Sequence, residues 1–414
     1  MSIVRDKSAA AAGRRKIEWV RSFMPALAAI EKRFAAERPF EGLRIAVSVH
    51  LEAKTANLGL VLRAGGAQVF LTGSNPLSTQ DDVAAGLDSM GVETFGIHGA
   101  DRDTYEAHLT ETLACRPHLI VDDGGDLVHL LGGRCAPCAD RLIGGCEETT
   151  TGILRLRARE RAGALPCPMV AVNDAKAKHY YDNKYGTGQS VWDAIMHTTN
   201  LIVAGKTVVV AGYGWCGRGV AMRAAGLGAH VIVTETDPFK ALDATMNGFR
   251  VMKMKEAAPL GDIFITVTGC RDVITPAHFA VMKDKALLCN AGHFDCEVDV
   301  AGLQSMAAGR EMRRENLEGF TLSDGRTLHV IAEGRLVNLA AGNGHPAEIM
   351  DMSFSVQALA LEWLVSSRGS LEKKVYEVPA SIDHASAQAK LHALGLSIDT
   401  LTPEQTAYLS GYDA

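Results

Sequence analysis

Gly212, Gly214 and Gly217 hold a G-x-G-x-x-G spacing inside VVVAGYGWCGRGVAMRAAGLGAHVIVTETD, residues 208–237, between a strand-like run and a helix-like run. The chemistry of that spacing is phosphate binding. The first glycine allows a sharp turn, the second lets the backbone approach a pyrophosphate, and the third lets the helix pack on the strand. The helix that follows would point its free N–H groups at the phosphates. Glu235, at the end of the next strand and about 20 residues on, can accept hydrogen bonds from both hydroxyls of a ribose, and its charge would repel a 2′-phosphate. The pattern predicts a dinucleotide site for NAD in preference to NADP.

Other groups capable of acid–base chemistry follow strand-like runs, where open α/β sheets place their ligands. His50 ends LRIAVSVH; Asp122, Asp123 and Asp126 lie in VDDGGD; Glu148 precedes Thr149, Thr150 and Thr151 in GCEETTTG. In VNDAKAKHYYDNKYG, Lys178 and Asp182 stand at i and i+4, one above the other if helical, with Asn183 adjacent. His293 and His345 each follow a glycine turn, in CNAGHFDCEVD and LVNLAAGNGHP. Taken singly, such groups often only cap helices, fill turns or form solvated ion pairs. Their recurrence at loop positions in both halves of the chain predicts a site in a cleft between domains. His129, Cys135, Cys138 and Cys146 offer one C-x-x-C with flanking ligands, but a second C-x-x-C is missing, so no metal is expected.

The elements that must position these groups alternate. Amphipathic helices up to about Pro39 precede LRIAVSVH as a strand, AKTANLGLVLRAGG as a helix and AQVFLTG as a strand. STQDDVAAGLDSMG reads as a helix opening on a Ser/Thr cap, and VETFGIHG, the helical run to Cys115 and HLIVDDGGD continue the pattern. A second alternating set runs from Lys206 to about Asn290; FSVQALALEWLVSS is a strong helix in a C-terminal part that no longer alternates. At 414 residues two or three domains are expected, and the 47% hydrophobic, 22% charged composition is that of a soluble globular chain. The net charge of -6 argues against a nucleic-acid or acidic-membrane partner. No apolar run nears the roughly 20 residues of a membrane span, the N-terminal stretch lacks a signal-type core, and nine scattered cysteines suit reduced thiols. A cytoplasmic enzyme is expected.

Together, DDGGDL, EETTTG, VND…DN.YG, VVAGYG..G.G, TGC, GHFD, AEGRLVNL and GHP, in this order from about Leu43 to the end, resemble the S-adenosyl-L-homocysteine hydrolase family. The resemblance implies two Rossmann-like parallel-sheet domains joined by a hinge, with a helical C-terminal tail. Residues 1–182 would begin a substrate-binding domain, 183–337 form the NAD-binding domain, 338–378 complete the substrate domain, and 379–414 form an oligomerisation tail of a homotetramer. It also implies a reaction. The 3′-hydroxyl of a nucleoside thioether is oxidised by tightly bound NAD, the C4′ proton becomes acidic and is removed, homocysteine is eliminated, water adds, and the hydride returns.

By that resemblance Lys178 and Asp182 lie at the 3′-hydroxyl, with Lys178 taking its proton and kept neutral when required by cationic or desolvating neighbours. Asn183 orients it, and Glu148 anchors the ribose. His50, Asp123 and His293 surround C4′ and C5′, and His345 closes over base and sugar with Thr55. Thr149, Thr150, Thr151, Asn183, Thr268, Gly292, His293 and Asn338 join Gly212, Gly214, Gly217 and Glu235 around the cofactor. Hinges are expected at 182–186 and 335–338. A conventional NAD-dependent dehydrogenase and a non-catalytic nucleoside-binding regulator are the rival readings.

Three departures from the family pattern matter. Thr187 stands where a cysteine often follows DN.YG. The chain ends at LTPEQTAYLSGYDA without the Lys/Tyr tail of the long forms, so looser cofactor binding is expected. Where long forms read His-x-Thr-x-Glu (or Gln)-Thr, this chain reads His50-Leu51-Glu52-Ala53-Lys54-Thr55. An acceptor, Glu52, and a pure donor, Lys54, replace groups of opposite polarity. That exchange mirrors the one between adenine and hypoxanthine, and makes S-inosyl-L-homocysteine a candidate substrate. The alternative is that Glu52 and Lys54 pair with each other and backbone groups read adenine.

Overall fold

Alternating β-branched runs and glycine turns build two sheets, each carrying helices on both faces. The computed structural model describes residues 2–411; Met1 and the last three positions of the 379–414 tail lie outside them. The first sheet is wholly parallel, in the order Ile3–Val4, Glu93–Gly96, Gln68–Thr72, Arg44–Ser48, Leu119–Asp122, Gly144–Glu147, Met169–Ala171, Val375–Glu377. Val47, Val121 and Val170 face one buried cluster and Ala46, Ile120 and Met169 the other, which is why these strands read as nearly continuous apolar runs.

The second sheet runs Arg250–Val251, His230–Thr234, Thr207–Ala211, Ile263–Thr266, Leu287–Asn290 and Thr327–Ile331 in parallel. It ends in an antiparallel pair, Leu317–Leu322 and Ala307–Arg314. The pair lies beyond the alternation legible in the sequence. Its outer strand, AAGREMRR, carries charge at its exposed positions, which protects a sheet edge from further pairing.

Two local readings need correction. The helix Asp81–Ser89 has Gln80 at its cap, with no side-chain bond. Ser78 belongs instead to a preceding turn, where its hydroxyl meets the Asn75 carbonyl at 2.9 Å and the His50 ring at 2.7 Å. The N-terminal stretch also begins with a two-residue strand, paired with Phe95 and Gly96, ahead of helices Ala10–Arg21 and Pro25–Glu37.

The chain passes to the second sheet through a wide helical turn, His179–Gly186, and helix Thr187–Thr199. It returns after Ala332–Gly334, where Ala332 and Glu333 adopt positive φ of 52° and 56°. Helix Ala347–Ser366 then enters the first core, and Ala380–Ala393 packs beside it, with Asp383 accepting from the backbone N–H groups of Lys176 and Ala177 at 2.7 and 2.8 Å. Among the described residues no helix is long and apolar enough to cross a membrane.

Candidate active site

Strand order reverses once among the parallel strands of each sheet, and open α/β sheets leave their ligand crevice at such a point. In the first sheet it falls between Arg44–Ser48 and Leu119–Asp122, whose ends lead to His50 and Asp123. In the second it falls between Thr207–Ala211 and Ile263–Thr266, leading to Gly212 and Thr268. The two crevices share one cavity of about 1210 Å³, lined by every candidate catalytic, substrate and cofactor residue except Lys54 and Gly217. A site for one small molecule occupies roughly 300–1,000 Å³, so this one suits a cofactor and a substrate together.

The glycine loop has the shape a pyrophosphate needs. Gly212 turns at φ +100°, a Cβ on Gly217 would stand 2.0 Å from the Gly212 carbonyl oxygen, and one on Gly214 would meet nothing within 4 Å. Helix Trp215–Gly226 starts without a side-chain cap, leaving its first N–H groups for a ligand. Glu235 accepts from the backbone N–H groups of Tyr213 (2.7 Å), Thr236 (2.7 Å) and Asp237 (3.1 Å). Burial pushes its carboxyl up, but those donors outweigh burial and hold it below the usual range, so it stays ionised. Asn338 donates to Ser190 at 3.0 Å, while its buried Oδ1 has no partner among the described residues and could accept from a carboxamide. NAD fits these residues.

Of the three threonines, Thr149 Oγ1 is already engaged, accepting from Gly152 N–H at 3.0 Å as a helix cap and donating to Glu147 at 3.0 Å. Thr150 Oγ1 accepts from Asn173 at 2.9 Å. Thr268 is likewise committed, its N–H and hydroxyl both meeting the Glu297 carboxylate, at 2.9 and 2.6 Å.

Opposite the loop, Lys178 is buried among acids. Its ammonium meets Asn183 Oδ1 at 2.9 Å, Asp182 at 3.2 Å and Glu148 at 3.5 Å. Asn183 in turn donates to Asn173 at 3.0 Å. The wide turn after Lys178 brings Lys178 and Asp182 face to face, as the i,i+4 spacing suggested. The expectation of a neutralising environment is corrected here. Burial disfavours the charge on Lys178, but Asp182 and Glu148 outweigh it and hold the ammonium protonated. Burial also pushes Glu148 up, to about 7, although Lys178 pulls it down; Asp182 is held low because Lys178, His345 and Ser353 outweigh its burial. His345 binds Asp182 through Nδ1 at 2.8 Å and meets the Thr187 hydroxyl at 3.2 Å.

A third cluster gathers at the first crevice. His50 meets Asp123 at 3.4 Å, and Asp123 accepts from Ser74 at 2.7 Å while its buried Oδ1 has no partner among the described residues. Burial lowers His50 to about 4, only partly offset by Asp123, so the imidazole is neutral at neutral pH. His293 crosses from the other domain, its Nε2 2.7 Å from where a Cβ on Gly124 would stand. Side-chain ligand atoms of His50, Asp123 and His293 lie within 4.8 Å of one another. By contrast, Cys146 faces the opposite side of the first sheet from Cys135 and Cys138, and His129 is bonded to Arg159 at 2.7 Å.

Glu52 lines the cavity and Lys54 does not. Glu52 Oε2 accepts from both the backbone N–H (3.1 Å) and the ammonium (2.9 Å) of Lys54, which also donates to the Asn343 carbonyl at 2.9 Å. Thr55 Oγ1 is buried without a partner among the described residues.

Sequence reasoning missed several groups. Glu147, in the first domain, accepts from Gly124 N–H at 2.8 Å and Thr149 N–H at 2.9 Å; Glu297 holds the Thr268–Gly269 loop of the second. Cys216 comes to 3.6 Å from Thr187, placing a thiol beside that hydroxyl. Trp215 stacks on His179 with ring centroids 5.0 Å apart. Nothing in a lone acid two places after a GHFD turn announces burial. Glu297→Ala would strip the acceptor from three donors, since Gly269 N–H also binds it at 2.7 Å. The Thr268–Gly269 loop is exposed, so water can take over its donors and each lost bond costs about 0.5–1.5 kcal/mol; the melting temperature is expected to fall slightly and NAD dissociation to quicken about tenfold, and unchanged NAD retention on dialysis would refute this.

Two doubly wound domains, one presenting a dinucleotide loop and the other a buried lysine between carboxylates, define a nicotinamide-dependent enzyme whose cofactor and substrate share a cleft. The model of the S-adenosyl-L-homocysteine hydrolase family matches residues 2–136, and that of its NAD-binding domain matches residues 183–344. The adenosylhomocysteinase of Thermococcus kodakarensis is 52% identical over 410 residues, covering 99% of this chain and 97% of the relative. That of Gloeothece citriformis is 53% identical over 411 residues (99% and 96%). The S-inosyl-L-homocysteine hydrolase of Methanococcus maripaludis is 50% identical over 412 residues (100% and 99%). The chain belongs to the S-adenosyl-L-homocysteine hydrolase family and is an enzyme with NAD as its cofactor. The dehydrogenase and regulator readings are left without support.

Proposed function

We propose that this enzyme reversibly splits the thioether of S-adenosyl- or S-inosyl-L-homocysteine into homocysteine and the nucleoside, with the inosyl compound preferred. The single observation that carries the reaction is the buried Lys178, set between Asp182 and Glu148 in the same cavity as the glycine loop. Bound NAD supplies reversible hydride exchange at C3′ of the sugar. The proton of the resting ammonium passes to Glu148 in an uphill step, because both neighbouring acids hold it on Lys178 while burial only raises the proton affinity of Glu148 toward it; the freed amine then takes the proton of the 3′-hydroxyl. Asn183 fixes the ammonium and Asp182 anchors it. With C3′ a ketone, the C4′ proton is acidic; Asp123, His50 and His293 handle that proton, the departing thiol and the incoming water.

Identity does not choose the base, because relatives with adenosyl and inosyl names match about equally well. Chemistry does. The Glu52–Lys54 pair forms, as the alternative reading required, yet it does not neutralise the recognition. It fixes the pair, leaving Glu52 an acceptor at the cavity wall. Hypoxanthine offers N1–H to such an acceptor, whereas adenine N1 is itself an acceptor. A cytoplasmic homotetramer is the location and assembly we assign with this reading; the exposed Leu394, Leu396, Ile398, Leu401 and Leu409 near the C-terminus support a partner there.

The experiment is to incubate the enzyme with each thioether, following free homocysteine and bound nicotinamide together. Thiol release without net cofactor reduction, faster on the inosyl compound, is expected. Accumulating NADH without thiol would overturn the reaction, and a large adenosyl advantage would overturn the base.

A further inference from the structure

The helix Ala347–Ser366, which returns to the first domain after the cofactor domain, is buried without a break from Met350 to Ala358. Four polar or charged side chains in that stretch need partners in an apolar interior. Two serve packing. Asp351 accepts from Ala26 and Leu27 N–H at 3.1 and 2.8 Å and pairs with Lys390, and Ser355 bonds the Asp351 carbonyl one turn back. The other two, at i and i+4 on one face, reach the lysine cluster: Ser353 donates to Asp182 Oδ2 at 2.7 Å and Gln357 to Glu148 Oε2 at 2.5 Å.

Gln357 is the informative one. Its amide nitrogen goes to Glu148 while its buried Oε1 has no partner among the described residues. Leaving a buried carbonyl unpaired is costly, and an apolar side chain would pack there without that loss. The amide is therefore retained for what its N–H does to Glu148. Resting on the reaction reading above, we propose that Gln357 is a positioning residue of the oxidation step: it fixes the Glu148 carboxylate against Lys178, so that the lysine can give up its proton and receive the sugar's.

The groups that face Glu148 are Lys178, Asp182 and Asp123, with the Cys146 thiol near it on the strand Gly144–Glu147 that leads to it. Of these, only Lys178 favours the ionised form; Gln357 is the second stabiliser, and the one not consumed in the proton transfer. An amide is also suited to both states, donating N–H to a carboxylate and accepting O–H from a carboxylic acid after a half-turn.

The test uses the NAD-loaded enzyme and two substitutions with opposite expected signs. Gln357→Met removes the donor and disfavours ionised Glu148, so the acid limb of kcat should move up by about one to two pH units. The appearance of reduced nicotinamide on adding nucleoside should slow below that limb. Gln357→Glu can donate while protonated but repels Glu148 once both ionise, so its alkaline limb should move down; it retains side-chain length if the methionine variant does not fold. Wild-type profiles in both variants, or a uniform loss at every pH, would overturn the proposal alone. Absence of reduced nicotinamide in the wild-type enzyme would overturn the reaction reading, and this proposal with it.

Discussion

Lys178→Met is expected to lower thiol release by about 10²- to 10⁴-fold, the usual worth of a positioned acid–base group, with NAD still bound and no reduced nicotinamide formed on adding nucleoside. The methionine fills the space, but Asp182 and Glu148 lose the buried ammonium that faces both. Breaking such a pair costs about 3–5 kcal/mol when the remaining charge is stranded. Here the loss is shared, because Ser353 and His345 still hold Asp182 and Gln357 still holds Glu148. The variant should fold with a lowered melting temperature. Thiol release within tenfold of the wild type would remove Lys178 from the reaction.

The second large effect is on the base. Exchanging Glu52→Thr together with Lys54→Gln restores a hydroxyl and an amide where this chain has a carboxylate and an ammonium. Threonine can still cap the helix Ala53–Ala64, as Glu52 does through Lys54 N–H. Each mismatched buried contact costs about 1–3 kcal/mol. Only Glu52 lines the cavity, so one base contact is reversed and the ratio of kcat/KM for adenosyl over inosyl thioether should rise by about 10- to 10²-fold. Each single exchange leaves one half of the Glu52–Lys54 pair buried alone, so the singles should lose activity on both substrates. A ratio unmoved in the double variant would assign base recognition to other groups.

Much of the positioning was legible before any coordinates. The turn at Gly212, Gly214 and Gly217 and the acid at Glu235 were legible through spacing, because a tight turn and close approaches demand glycine at particular positions whatever surrounds them. Lys178 and Asp182 were legible through helical periodicity, which the wide turn His179–Gly186 modifies without separating them. Ser78 misled, since a serine before a helix usually caps it, whereas here His50, distant in sequence, claims its hydroxyl. The polar pair Ser353 and Gln357 in an otherwise apolar helix was a signal left unread.

The strands, the cofactor loop and the family motifs follow from local rules: which residues bend, which alternate, which cap. The protonation of Lys178 does not, nor does the partnership of Glu148 with Gln357, or that of Asp182 with His345 and Ser353. Those depend on three separate segments meeting in one dry interior, where burial and a few ångströms of separation decide which group carries charge. Sequence by itself determined that a dinucleotide and a set of acids, amines and imidazoles would share a cleft. Only the tertiary structure decided how the protons are distributed among them, because electrostatic energy depends on distance and exposure, and neither is written along the chain.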